Sequence, residues 1–305
     1  MKFFFIIFLL SITLNDAKSI ETKIIYNIEN EIITNIDIKK EFKYLLAFNS
    51  SLKDLDKEQI FKISSDSIIR EKIRLVELLK HYKKIKLNKE YANNQLKRIF
   101  SDLGLKSFNE FELYLKNYDL TLSEIEEKIA IEVFWNEFIL AKYGSQIKVN
   151  EKAIRKKISK SSNRQSKEYN LAEIVFDINN KQEIKKKYNE IKKSIYQIGF
   201  ENSASIYSSA NSSKIGGKIG WISESSLNDK IKLSIKNLKI GEVSEPLSLS
   251  NSILILKILD IKISKVSINV EAELNKAINY EKSRQLDQYS KIYYNKVKKN
   301  FELNE

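Results

Sequence analysis

Apolar residues recur along this chain at helical spacing in its first half and at mixed strand and helix spacing in its second. Near the start, Lys23-Ile24-Ile25-Tyr26-Asn27-Ile28 and Glu31-Ile32-Ile33-Thr34 are β-branched runs separated by Glu29-Asn30, which predicts a small hairpin. Thr34 followed by Asp37 is close to a capping box, so a helix is expected near Ile36, carrying Ile38, Phe42, Leu45 and Leu46 on one face. Ile69, Ile73, Val76 and Leu79 then mark a helix from about Lys57 to Ile85, and the next runs from Asn88 to Leu103 and stops at Gly104. Ser107 caps a short helix with Phe108, Phe111 and Leu115. Ser123 lies at the start of a long one that buries Ile125, Ile129, Ile131, Val133, Trp135 and Phe138 and closes at Gly144. Asn150 caps a last short helix through Ile154 and Ile158.

Ser159 to Lys167 is polar and lacks an apolar anchor, which reads as a linker. Beyond it the pattern predicts a strand over Glu168 to Phe176, a helix over Lys181 to Ile198 ended by Gly199, and a short helix over Phe200 to Tyr207. The stretch Gly216 to Ile222, GGKIGWI, is the densest glycine cluster in a chain with seven glycines and predicts a tight turn feeding a short buried strand. Leu227, Ile231 and Ile235 recur at helical spacing, and Val243 to Leu247 and Ser252 to Ile261 supply two more strands. Val270 to Lys299 forms a final long helix with Leu274, Ala277, Ile278, Leu286, Tyr289 and Tyr293 on its apolar side, and Phe301 to Asn304 is a candidate edge strand. The expected class is α+β.

Lys2 precedes an apolar run from Phe3 to Leu10, extended by Ile12 and Leu14, too short to span a bilayer comfortably. With Ala17-Lys18-Ser19 after it, the run reads as a cleavable export signal over residues 1–19; an uncleaved anchor is the alternative. The length of 305 residues suggests about two domains. There is no cysteine, which excludes disulfides, thiolate metal sites and a lipidated cysteine. The net charge of +13 could suggest nucleic acid, but lysines are spread along every segment and alternate with glutamates, so no nucleic-acid partner is expected. Weak attraction for acidic chains or an anionic membrane surface stays open. His81, the sole histidine, lies among lysines near a helix end and reads as solvated or as a partner of that helix terminus. No catalytic triad, Cys/His pair or metal-ligand set can be assembled, and no cofactor is expected.

Phe200 to Ser208, GGKIGWI, Leu238-Lys239-Ile240-Gly241-Glu242-Val243-Ser244-Glu245-Pro246-Leu247 and Ser252 to Ile258, in that order and spacing, resemble a parvulin, the rotamase-type peptidyl-prolyl isomerase domain. Separately, the strand with Asn27, then Ile32-Ile33-Thr34 and Asp37-Ile38 at a helix start, is similar to the N-terminus of SurA-type periplasmic chaperones. Together the two resemblances imply a SurA-like N-terminal helical domain over residues 20–158, a linker over 159–167, a parvulin-like domain over 168–264, and a C-terminal helix and strand over 265–305 that return to complete the N-terminal domain. The helical body would carry the parvulin-like domain, a small antiparallel sheet covered by helices, as an insertion.

Prolyl isomerisation breaks no covalent bond; its barrier of roughly 18–20 kcal/mol reflects amide resonance. A dry apolar cleft with a few polar groups can lower it. The resemblance implies that Leu227, Ile231 and Trp221 bind substrate, with Leu227 and Ile231 gripping the proline ring; plain core packing is the competing role. The polar positions of the family read Glu173, Ala210 and Leu254 here, with Ser208 and Ser209 nearby as possible substitutes. The implied function is a periplasmic chaperone that holds unfolded outer-membrane β-barrel or secreted polypeptides, with weak or lost isomerase activity and no stable membrane insertion once the signal is cleaved. An active prolyl isomerase acting on exported proteins is the alternative, and a membrane-anchored structural partner is a third.

Overall fold

The structure, a computed structural model, describes residues 21–161, 166–177, 181–249, 252–264 and 270–301. The expected export signal and Glu302-Leu303-Asn304 of the expected C-terminal strand lie outside the described residues.

Strands β1 (Ile24–Ile28) and β2 (Glu31–Thr34) pair antiparallel around a turn in which Glu29 takes φ 52°. Thr34 then caps α1 (Asn35–Phe48): its Oγ1 accepts from the Asp37 amide at 3.2 Å, and its own amide donates to Asp37 Oδ2 at 2.8 Å. The shorter aspartate closes a box usually made by glutamate. Helix α2 (Lys57–Leu79) is capped by Asp56 and Gln59. It ends at Leu79 and not at Ile85: the apolar stripe stops, and Tyr82 and Ile85 pack back on the body core from non-helical chain. Helices α3 (Lys89–Asp102), α4 (Phe108–Lys116) and α5 (Leu122–Tyr143) start at side-chain caps from Asn88, Ser107 and Thr121.

The expected linker is shorter than its polarity suggests. Helix α6 (Glu151–Ser161) takes its first residues and β3 (Ser166–Asp177) its last. Lys157 remains on α6, where it donates to the Leu227 carbonyl at 2.7 Å. Helix α7 (Lys181–Tyr207) is broken at Gly199, whose φ of 83° separates the two expected segments. Strand β4 (Lys218–Ser223), helix α8 (Asp229–Ile235), β5 (Leu247–Ser248) and β6 (Ser252–Ser264) complete an antiparallel sheet of order β4-β3-β6-β5. The predicted strand from Val243 shrinks to a single bridge, Val243 to Lys257, followed by the two residues of β5. Pro246 between them has no N–H to give the ladder.

Alternation along the sheet builds two cores. Tyr169, Leu171, Leu254, Leu256 and Ile258 face α8 with Leu227 and Ile231, while Ala172, Ile174, Phe176, Ile253 and Ile255 face α7 with Ile191 and Phe200. Helix α9 (Val270–Lys298) then returns to the helical body, where Tyr293 and Val297 join Trp135 and Phe138 in one apolar cluster.

Candidate functional site

The glycine turn fixes the geometry of the central strand. Gly217 takes φ 79°, and a Cβ there would lie 2.3 Å from the Glu173 carbonyl oxygen. Only glycine fits, and the close approach allows the Glu173 amide to donate to the Gly217 carbonyl at 2.8 Å. Gly216, also left-handed at φ 70°, ends the 3-10 turn Asn211–Ile215 and so places Ser212 next to β3.

Glu173 sits on the α8-side face of β3, in register with Leu256. Its Oε1 accepts from Ser212 Oγ at 3.0 Å. Burial pushes its carboxyl up to about 7; the Ser212 hydrogen bond opposes that shift, and the negative charge of Asp287 on α9 adds to it. Asp287 is itself raised to about 6, chiefly by burial. Both carboxyls line a cavity of ≈ 260 Å³ at the junction of the sheet with α2 and α9. Val175, Ser209, Ala210 and Ile219 form its sheet side, and Arg70, Arg74 and Lys291 come from the helices opposite.

The candidate residues divide into three groups. Glu173, Ser209 and Ala210 meet at the cavity wall. Leu227, Ile231 and Leu254 lie in the apolar core between sheet and α8, 1 %, 3 % and 5 % exposed, and Tyr280 of α9 packs against that cluster from outside. Trp221 is 47 % exposed on β4, apart from both groups. Ser208 is committed to backbone, accepting from the Val175 amide at 3.0 Å and the Ala210 amide at 3.3 Å, and Ser209 Oγ donates to the Val175 carbonyl at 2.9 Å. His81 lies half-exposed beside Phe138, with ring centroids 4.8 Å apart and the planes tilted by 32°.

Sequence reasoning missed the helix-borne side of the cavity. Arg70 and Arg74 drew no attention in the sequence, yet Arg74 is 5 % exposed. Their spacing of one turn, each directly after a residue of the apolar stripe, was the available signal; that Asp287 and Lys291 stand opposite depends on where α9 lands.

Residues 139–260 match the family model of the rotamase, the PPIC-type PPIase domain. The chain carries a rotamase domain. The matched span opens in α5 and closes in β6, so the rotamase domain includes the glycine turn, Glu173 and the covered apolar core. Among solved structures, a PpiC-type peptidyl-prolyl isomerase domain is 22 % identical over 32 % of this chain and 94 % of its own, with TM-score 0.29. PrsA from Bacillus subtilis is 17 % identical over 92 % of this chain and 93 % of its own, with TM-score 0.30. One of two structurally related SurA-like chaperones of Campylobacter jejuni is 15 % identical over 92 % and 98 %, with TM-score 0.36. No curated protein matches the chain. Among the described residues, no helix is long and apolar enough to cross a membrane.

Proposed function

We propose that the protein is an exported, SurA-like chaperone that holds unfolded polypeptides, outer-membrane β-barrel proteins among them, in the periplasm, and that its rotamase domain isomerises prolyl bonds weakly or not at all. One observation carries the second half of this reading: Leu227 and Ile231, which would grip a proline ring, are filled core positions in a cluster against which Tyr280 of α9 packs, and Ala210 and Leu254 offer no polar group to the imide. A cleft occupied by its own protein favours a domain that shapes a binding body. The return of α9 to α2 and α5 supports the first half, because it makes one continuous helical body from both ends of the chain. Holding would rest on apolar contact and backbone hydrogen bonding, which tolerate many sequences.

Glu173 favours the second reading, an active isomerase, because a buried carboxyl kept protonated near neutrality can donate a hydrogen bond. One experiment separates the two. Prolyl isomerisation is measured without a coupled protease for the mature chain and for Leu227→Ala and Ile231→Ala, beside aggregation of an unfolded β-barrel protein. An uncatalysed isomerisation rate with the barrel kept soluble fits the chaperone. Acceleration lost in the variants means an active isomerase, and failure of both activities removes both readings.

A further inference from the structure

Arg74, on the wall of the cavity between sheet, α2 and α9, carries a buried donor that nothing among the described residues satisfies. Arg74 Nη2 donates to Asn211 Oδ1 at 3.0 Å, Nη1 pairs with Glu132 at 3.2 Å, and the guanidinium lies over the Trp135 ring at 5.2 Å. Its Nε–H is buried and has no partner among the described residues. An orphaned charged donor in a protein interior is costly and uncommon, and here it belongs to a guanidinium whose residue lines a cavity.

The rest of the wall is also rich in donors. Arg70, one turn before Arg74, is held below the usual guanidinium range by burial and then by the Arg74 charge, so the two cations share a site that an anion would relieve. Asn211 and Gln288 add amide groups. Of the other basic groups lining this space, Lys291 is ion-paired with Asp177 at 2.5 Å and Arg284 with Glu281 at 2.7 Å. Glu173 and Asp287, raised to about 7 and about 6, are neutral acids in mildly acidic solution and add donors there; Tyr280 on α9 stays neutral throughout, burial having pushed it up to about 12. At ≈ 260 Å³ the space exceeds several waters of about 30 Å³ each, enough for an acidic side chain.

We propose that this cavity is a carboxylate subsite, in which Arg70 and Arg74 of α2 take an acidic side chain of a bound polypeptide between the rotamase sheet and α9. The proposal rests on the polypeptide-holding reading and names where one class of client residue is recognised. Guanidinium and carboxylate are matched in shape and charge, and the low local dielectric strengthens their pairing.

The test is fluorescence anisotropy with the mature chain and three labelled, extended peptides: one with a central Glu and an amidated end, its Gln counterpart, and the Gln peptide with a free C-terminal carboxylate. The Glu peptide is expected to bind about tenfold tighter than the Gln peptide at about pH 5.5, with the preference shrinking by about pH 8 as Glu173 and Asp287 ionise. Tight binding of the third peptide instead of the first would overturn the side-chain assignment and make a chain end the ligand. Ala210→Trp fills the cavity and Arg70→Gln removes one cation; both, with circular dichroism unchanged, should erase the preference. Equal binding of Glu and Gln peptides, or a preference that survives Ala210→Trp, overturns the subsite. Reduced, carboxymethylated α-lactalbumin serves as the control: if it is held while the peptides are not distinguished, the subsite alone falls, and if it is not held either, the chaperone reading falls with it.

Discussion

Trp135 on α5 donates its indole N–H to Ser290 Oγ on α9 at 2.8 Å, joining residues 155 positions apart across the insertion of the whole sheet unit. Trp135 is fully buried and Ser290 nearly so, and Phe138 and Tyr293 pack around the pair. Ser290→Ala would leave a buried donor unpaired, so it should destabilise the protein by about 1–3 kcal/mol. Denaturant unfolding followed by tryptophan fluorescence checks this. A midpoint equal to the wild type's would mean that α9 does not close the body through this contact.

Lys128 on α5 pairs with Glu41 of α1 at 2.6 Å and with Glu71 of α2 at 2.7 Å, and Ser67 donates to the other Glu41 oxygen at 2.6 Å. Burial works against the Lys128 charge, but the two carboxylates outweigh it and hold the ammonium above its usual range. Replacing only the cation strands two buried anions. Lys128→Met is expected to cost about 3–5 kcal/mol, whereas the triple change Lys128→Met, Glu41→Leu, Glu71→Leu should recover much of that loss. Thermal unfolding of the single and triple variants gives the comparison; an additive decline would refute it.

Much of the helical body was legible because its helices carry their own punctuation. Thr34, Asn88, Ser107 and Asn150 mark helix starts by a hydrogen bond that any reader of side chains can anticipate. Gly199 and Gly216-Gly217 mark breaks at positive φ, a conformation that favours glycine. The segment from Ser159 to Lys167 misled because polarity alone does not separate a linker from the last residues of α6 and the first of β3. Glu41 and Lys128 were invisible for the opposite reason: charged residues read as surface until a partner from another helix buries them. The cavity falls in the same class. Glu173 could be singled out by its place in the motif, but Arg74, Asp287 and Ser212 become one site only when α2, α9 and the glycine turn converge.

Gly217→Ala tests the turn. The left-handed backbone alone costs about 1–2 kcal/mol for a side-chain-bearing residue, and the added methyl would overlap the Glu173 carbonyl oxygen. The expected result is loss of the rotamase sheet with the helical body retained: hydrogen exchange should accelerate in β3 and β4 while α5 stays protected. Uniform protection would show that the turn tolerates a side chain.

The Glu173–Asp287 pair predicts the direction in which pH acts on stability. Both carboxyls have folded-state values raised above their ordinary ones, to about 7 and about 6, with burial the leading cause in each. The folded protein therefore holds more protons than the unfolded chain between about pH 4 and 7, so the slope of unfolding free energy with pH is negative there. The contribution of these groups is fully present below the unfolded values near 4 and is lost as pH rises through the folded ones. For Glu173 the loss is on the order of 1–3 kcal/mol. Glu173→Gln keeps the hydrogen bond acceptor toward Ser212 while removing the titration, and it should flatten this decline, leaving the smaller part due to Asp287. Urea midpoints for wild type and Glu173→Gln at about pH 5, 6, 7 and 8 measure the effect. Parallel curves would mean that Glu173 is hydrated and ionised in solution, and that the sheet and α9 meet less closely than the cavity geometry requires.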